Sequence, residues 1–573
     1  MAEFARTMVS SGSDANLHRT IRLKRLVSSS ARTIISEKEN TKMFEQFYIF
    51  GAPPDSSFPL RPTLLTTYPS TSHGPAQSNE VIEQLKMFCF PSGFKSIKSQ
   101  NHSHNLNLNS NSRYNSNNST TDKEDEKVLL NEFVFYMSSS CTNKTYGICV
   151  QFRVTNSKSA YFATHYSRKY PFCLCFLSKT PFLSSHFQFA SYLALILCGI
   201  EKPTRAHVNE KRAPLPIKGF CHESLQLDKN FPAIAVFKGF SVPRIIFDEL
   251  TFFHSIKVST DDISSSIEPI VLSNDMLLCI PFHFSSTKCL AYPTFHSFFS
   301  VLTPAQIVQI YTAILLEQRI LFISNDLQLA SFSVIASTSL ISPFVTQASV
   351  MPIIPSNDAF QEILQSPIPY IAGSTKSHEN ADVIINLDDG TINMKSPLPA
   401  LPKANDLIHK LELLMNASER SILVPSKEIK SFFGHVSKNP EYDKFMDSIN
   451  VYVFPKVFTK YSPVKYIFTP FLIEDILLLF SGILAPKLTD LLSSCFVTDT
   501  TDESSPITIM NRELLLCLVP QNEVKFYSMF TATQIFNDFC EKKTDEYSNS
   551  LIKPSLIQMC HSVSLPNLSK HGA

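Results

Sequence analysis

Few side chains in this sequence stand at the spacings that chemistry requires. Cys173 and Cys175 are separated by one residue, which on a strand turns both thiols to one face. Two thiolates so placed could ligate a soft metal ion, but no second pair and no histidine stands at ligand spacing, so a buried structural pair is the favoured reading. Asp388 and Asp389 could serve as paired acids or hold Mg²⁺. Gly390 follows them directly, and a tight turn in which the glycine takes a positive φ accounts for both carboxylates more simply. Glu317 and Arg319 flank the start of an apolar stretch and admit two readings, contact with a partner or capping of the preceding helix, of which capping is favoured.

Motifs of covalent chemistry are missing from the sequence: it contains no Gly-x-x-x-x-Gly-Lys-Ser/Thr, Gly-x-Gly-x-x-Gly, Gly-x-Ser-x-Gly or His-Glu-x-x-His. With 13 glycines in 573 residues there is little material for a phosphate cradle. No catalytic, cofactor-binding or metal-ligating residue is therefore assigned and no cofactor is expected. The weight moves toward binding. A net charge of +1 argues against a nucleic-acid partner held by broad phosphate neutralisation, which leaves protein partners. The 13 cysteines include no Cys-x-x-Cys pair; an odd total without a secretory signal predicts reduced thiols and a cytosolic setting. No stretch of about 20 residues reads as both apolar and uncharged, because Tyr192 to Ile200 is short and Ile467 to Leu484 contains Glu474 and Asp475. Any membrane attachment is expected to be peripheral.

The clearest structural signal lies in residues 303–392. Thr303-Pro304-Ala305-Gln306 places Thr at an N-cap, Pro at the first helical position and Gln three residues after the cap. Ile307, Ile310, Tyr311, Ile314 and Leu315 then form one apolar stripe. The stretch from Glu317 to Ser324 is short and continuously apolar, as a strand covered on both faces would be. Leu327 to Ile341 has helical length, Val350 to Pro355 is a proline-bounded strand, and Ser356 can cap a helix through Leu364. Tyr370 to Gly373 and Asp382 to Leu387 are further strands. Alternating helix and strand predicts an α/β lobe with a mainly parallel sheet.

The succession LTPAQIVQIYTAILLEQRILFIS, MPIIP, SPIPYIAG and DVIINLDDGTI resembles the central module of the DENN family, whose members act on Rab-type small GTPases. FYIFGAPP at 47–54, Tyr68-Pro69, FCFPSGF at 88–94, NEFVFYM at 131–137 and YPFCLCFLSKTPF at 170–182 resemble that family's upstream module. FYSMFTATQIFNDFCEKK, from Phe526 to Lys543, is similar to its closing helix. One departure stands out: where many members place a Trp after a Pro-Phe step, this chain has Pro343-Phe344-Val345-Thr346, and it contains no Trp.

The organisation predicted on this basis is a basic tail at 1–42, an upstream longin-like module at 43–200 carrying a polar insertion at 99–127, and a linker at 201–235. A central module at 236–395, a mostly helical downstream module at 396–545 and a tail at 546–573 follow. Within the upstream module, Val81 to Phe90 is a short helix or strand that periodicity does not settle. Phe133, Phe135 and Met137 alternate with their neighbours, as do Ile148, Val150, Phe152 and Val154 beyond a turn at 142–144, which predicts a hairpin. Tyr170 to Leu177 is a strand, and Ser184 or Ser185 caps a helix ending near Gly199. Helices are expected at 405–415, 426–436, 465–484 and 531–543.

The resemblance implies guanine-nucleotide exchange on a Rab-type GTPase, bound across the upstream lobe and the central-downstream lobe, in the GDP-bound and nucleotide-free states. It also implies a cytosolic protein acting peripherally at vesicle or endosomal membranes. Two alternatives accompany it. One is a non-catalytic adaptor for a GTPase or trafficking complex. The other is a GTPase-activating role, since some longin-DENN proteins supply an arginine to the transition state of hydrolysis; Arg153 and Arg168 near strand ends of the upstream lobe are its candidates, although such arginines are mostly solvated. The segment from Leu17 to Arg32 contains five Arg or Lys and no acid, and reads as a solvated tail, a contact for anionic lipid or a presequence.

Overall fold

The computed structural model describes residues 41–52, 61–69, 79–94, 128–138, 144–154, 170–180, 182–197, 235–236, 244–258, 267–271, 277–281, 286–421, 470–499 and 507–547. The insertion at 99–127, most of the linker, the tails apart from 41–42 and 546–547, the turn at 142–144 apart from Lys144, Gly199 and the helix expected at 426–436 lie outside these residues.

The first half builds an antiparallel sheet. After the short strand β1 (Thr41–Lys42) come β2 (Gln46–Gly51), β3 (Thr63–Tyr68), helix α1 (Asn79–Cys89), β4 (Val128–Ser138), β5 (Lys144–Val154), β6 (Phe172–Ser178) and helix α2 (Leu183–Leu197). With β7 (Ala235–Val236) the sheet order is β4-β5-β6-β2-β3-β7. The predicted hairpin is β4 with β5, in a register that sets Phe135 opposite Gly147 and Phe133 opposite Cys149. Val81 to Phe90 is helical. The serines expected to cap α2 lie inside its first turn instead, because the helix starts a turn earlier and His186 N–H donates to Phe182 O.

Period-2 alternation sorts this sheet into two buried faces. Phe47, Ile49, Val134, Ile148, Leu174 and Phe176 join one core, covered by α2 and by α3 (Arg244–Ser255). Tyr48, Phe50, Phe133, Phe135, Cys149, Cys173 and Cys175 join a second, covered by α1 and by residues from the other lobe. At the start of the sheet Met43 O accepts from Ser178 Oγ at 2.7 Å and from His186 Nε2 at 2.8 Å, which pins β2 to β6 and α2.

The second half opens with short pairs, β1 with β8 (Lys257–Val258) and β9 (Ile267–Val271) with β10 (Leu277–Pro281). Then come α4 (Ser286–Val301), α5 (Pro304–Leu315), β11 (Ile320–Ile323), α6 (Leu327–Ser339), β12 (Ser349–Met351), α7 (Asp358–Gln365), β13 (Tyr370–Ser374), β14 (Val383–Asn386) and β15 (Thr391–Met394). The sheet order is β12-β13-β11-β14-β15, with parallel pairings except for the hairpin β14-β15. This is the predicted mainly parallel sheet. The capping box on α5 forms as read, with Thr303 Oγ1 accepting from Gln306 N and Gln306 Oε1 accepting from Thr303 N at 2.8 Å. The cap of α7 is Asn357, one residue beyond the expected Ser356, because its amide oxygen reaches Phe360 N–H. Gly390 has φ +69°, as its turn needs.

Helices α8 (Ala404–Ser421), α9 (Pro470–Cys495), α10 (Arg512–Leu518) and α11 (Val524–Phe530), with a last helix α12 over 534–547 and the strand pair β16 (Phe496–Asp499) and β17 (Ile507–Met510), complete the described residues. The segment expected as one helix from Phe526 to Lys543 is two. Thr533 breaks it by accepting Phe536 N–H on Oγ1, as an N-cap does.

The sequence reading of membrane-spanning segments needs correction. Helix α9 is long and apolar enough to cross a membrane by length and composition. Its stripe of Ile473, Ile476, Phe480, Leu484, Leu488 and Leu492 is nonetheless buried in the core shared with α5 and α8. An amphipathic core helix passes the same test.

Candidate functional site

Helix α6 joins the two sheets. Twelve of its thirteen residues are buried, which a helix with only one covered face does not permit. Phe332 and Ile335 enter the core beneath α2 and α3, Leu327 and Ala330 enter the core beneath α1, and Leu329, Val334 and Ala336 enter the downstream core. Polar contacts fix the register between lobes. The Glu132 carboxylate on β4 accepts from Ser191 Oγ on α2 at 2.9 Å and from Gln328 Nε2 on α6 at 3.3 Å. Val134 N–H donates to Ser331 Oγ at 3.4 Å. Asp326 starts the helix by accepting Gln328 N–H and Leu329 N–H. A surface that crosses both lobes is therefore held in one geometry, and this seam is the candidate functional region.

The acidic and basic residues singled out in the sequence are used inside the fold. Asp388 accepts from Ser324 Oγ at 2.6 Å and from Asn325 Nδ2 at 2.8 Å, and Asp389 accepts from Thr391 N, Thr391 Oγ1 and Asn386 Nδ2. The turn reading holds for both. Arg319 makes a bidentate pair with Asp382, Nη2 to Oδ1 at 2.6 Å and Nε to Oδ2 at 2.9 Å, with Arg319 N also on Oδ2. The Arg319 guanidinium holds the Asp382 carboxyl below the usual carboxylate range. The pair locks the start of β11 to the start of β14.

Glu317 does not cap the helix before it with its side chain. The carboxylate accepts Gln534 N–H at 3.0 Å and Ile535 N–H at 2.9 Å, and so caps α12, 217 residues away. Its backbone does terminate α5. Glu317 N–H reaches Ile314 O and Gln318 N–H reaches Ala313 O, a Schellman arrangement with Glu317 at φ +50° where glycine is usual. Residue spacing carries no sign of this contact because the partner helix is remote.

Four thiols meet on the α1 face of the antiparallel sheet. Cys149 on β5 lies directly opposite Cys175 on β6, Cys173 is two residues from Cys175 on the same face, and Cys89 ends α1 above them. The Cys89 and Cys149 sulfurs are 3.9 Å apart, and those of Cys89, Cys149 and Cys173 all lie within 4.8 Å of one another. Burial pushes the Cys89 thiol up to about 11 and those of Cys149 and Cys175 well above their usual range. Burial acts the same way on Cys173, but thiols of Cys149 and Cys89 donating to its sulfur bring it down to about 7. The partners that Cys173 and Cys175 lack in sequence spacing are thus supplied by the fold.

Where the family pattern has Trp, Val345 stands 63% exposed, beside a buried Phe344 that packs on Phe530 and Phe539. Arg168 and the basic segment at 17–32 lie outside the described residues, as does the side chain of Arg153, whose backbone pairs with Leu129 in the hairpin.

Comparison with known proteins agrees with this architecture. Residues 62–152, from β3 to β5, match the uDENN domain family, and residues 269–390, from β9 to the turn after β14, match the DENN (AEX-3) domain family. The human DENN domain-containing protein 2A is 34% identical over 88 residues, 15% of this chain and 8% of that protein. The mouse protein of the same name is 34% identical over 88 residues, covering 9% of its length. The match thus spans less than a tenth of either relative. With both domain families matched and an antiparallel sheet joined through α6 to a mainly parallel one, residues 62–152 and 269–390 carry a uDENN and a DENN domain.

Proposed function

We propose that this protein is a guanine-nucleotide exchange factor for a Rab-type small GTPase, working in membrane trafficking and peripherally associated with its membrane. The observation that carries the reading is helix α6, which fixes the uDENN and DENN domains against each other. Exchange needs no bond broken by the exchange factor. Nucleotide and Mg²⁺ keep the GTPase switch loops ordered, so a partner that prefers the switch arrangement incompatible with tight nucleotide binding weakens the nucleotide by the same factor. Each tenfold loss requires about 1.4 kcal/mol of differential contact. An interface of ordinary size, roughly 1,600 Å² in total, supplies several such steps when it is rigid enough to discriminate between two switch states.

We assign residues 396–545 to the downstream module on the same reading. Support comes from Leu407, Leu411, Met415, Phe480 and Phe526, which share one core with α4 and α5.

The test is release of fluorescent GDP from a panel of the host's Rab-type GTPases. Acceleration for at least one, with GTP hydrolysis unchanged, is the expected result. No acceleration across the panel rejects exchange. A phosphate-release assay would reveal a GTPase-activating role, and preferential retention of the GTP-loaded over the nucleotide-free GTPase would mark an adaptor.

A further inference from the structure

We propose that Cys89, Cys149, Cys173 and Cys175 form a structural metal site for a thiophilic ion, zinc in the first place, inside the uDENN lobe. The site shares its core with Leu327 and Ala330 of α6, but its metal content is read independently of exchange activity.

Geometry comes first. A tetrahedral zinc with metal–sulfur bonds of about 2.3 Å holds its sulfurs about 3.8 Å apart. The Cys89 and Cys149 sulfurs are already 3.9 Å apart, and the Cys173 sulfur lies within 4.8 Å of both. Cys175 lies on the same sheet face, directly opposite Cys149 across the β5–β6 pair. Closing these three sulfurs from at most 4.8 Å to about 3.8 Å asks for movements of about an ångström, and Cys175 is the fourth ligand available on the same face.

Composition points the same way. Elsewhere among the described residues buried cysteines do not gather in this way: Cys289 is outside any such group, and Cys495 and Cys540 make at most a pair. Here four converge from three elements. Three project from adjacent strands on one sheet face, and the fourth comes from the last residue of α1, whose carbonyl is held by Gln151 Nε2 at 2.6 Å. Soft sulfur ligands without carboxylate or imidazole select zinc or monovalent copper over harder ions.

Loading balances as one Zn²⁺ entering while thiol protons leave to solvent. Loss of two protons makes the centre neutral, as the surrounding wall of Tyr48, Phe50, Leu85 and Phe133 favours. The other two sulfurs complete the tetrahedron as neutral thiols, so the centre stays uncharged. All four residues are fully buried, so the ion is taken up before α1 closes over the sheet and contributes to holding it there.

The experiment uses the full chain, expressed in zinc-supplemented medium and analysed by elemental mass spectrometry. One zinc per chain is expected. Protein produced with cobalt in place of zinc should show the visible bands and sulfur-to-metal charge-transfer absorption of a tetrahedral thiolate site. The double variant C149S/C173S should lose both signals, whereas C517S, which removes an exposed thiol outside the cluster, should keep them. Since serines are poorly tolerated in an apolar core, Cys89→Val and Cys175→Val provide a second arm: each keeps the apolar volume, and each should lower metal content and melting temperature together. Folded wild-type protein free of metal, valine variants as stable as wild type, or a Cys89–Cys149 disulfide found by mass spectrometry would each overturn the proposal.

Discussion

The six-stranded antiparallel sheet and the five-stranded, mainly parallel sheet are both covered on two faces, yet they meet that condition differently. In the first, alternation sends aromatic residues to one core and a mixture of aromatics and cysteines to the other. In the second, short strands of three to five residues lie between helices, and backbones approach closely. The glycines mark the contrast. A Cβ on Gly147 would stand 2.1 Å from the ring of Phe135, its partner across the hairpin, whereas a Cβ on Gly373 would stand 2.1 Å from the carbonyl oxygen of Pro352. A side chain can shift; a backbone carbonyl in a sheet cannot do so without breaking its neighbours. The uDENN lobe is thus held by interdigitating rings and the DENN lobe by main-chain proximity.

The comparison can be broken first at these glycines. Gly373→Ala should be the most damaging substitution, costing about 3 kcal/mol or more and in practice abolishing recovery of folded protein. Gly147→Ala should cost less, about 1–3 kcal/mol. Denaturant midpoints, or expression yields where the variant does not fold, decide the order; a larger loss for Gly147→Ala would reverse the account.

Next comes the pair that ties β11 to β14. Asp382→Ala leaves the partly buried Arg319 guanidinium without its carboxylate and should lower stability by about 1–2 kcal/mol, discounted for partial exposure. Because the Asp382 carboxyl is depressed in the folded state, its contribution is complete above the ordinary carboxylate value and is lost as pH falls through the lower folded value. Acid titration of wild type and variant should converge there.

Glu317 offers a sharper test within the DENN lobe. Glu317→Ala removes the Glu317 half of the α12 cap, leaving Thr533, while keeping a Cβ at positive φ, for an expected loss of about 1 kcal/mol. Glu317→Gly also removes the cap but relieves the backbone, so it should be recovered to within a few tenths of a kcal/mol of wild type. Equal melting temperatures for the two variants would show that the left-handed backbone costs nothing.

A further effect belongs to the antiparallel lobe and is a matter of pH. Burial, with Lys42 nearby, lowers His254 to about 4, and burial likewise lowers His186. Both rings are neutral in the fold, so the unfolded chain takes up protons first. Stability should fall from about pH 6.5 down to about pH 4. His254→Phe, which keeps a ring beside Phe44 and Tyr68, should flatten that slope.

Much of this was legible in the residues. The capping box at Thr303, the stripe on α5, the turn at Gly390 and the hairpin between β4 and β5 each rest on neighbours close in sequence, where spacing carries the information. The contacts that escaped are long-range. Glu317 looked like a local cap because its partners stand 217 and 218 residues away. Cys89 and Cys149 looked unremarkable because only the fold brings them to Cys173 and Cys175. Helix α9 was divided by Glu474 and Asp475 in the reading of apolar stretches, although both fall away from its buried stripe.

Helix α6 also bears on how the chain is made. Val134 finds its partner at Ser331, 197 residues later, so at ribosomal speeds of about 5–20 residues per second the β4 edge waits on the order of ten to forty seconds for its cover. During that interval an aromatic-rich strand edge is open to other nascent chains, and a ribosome-bound chaperone is the natural guard for it.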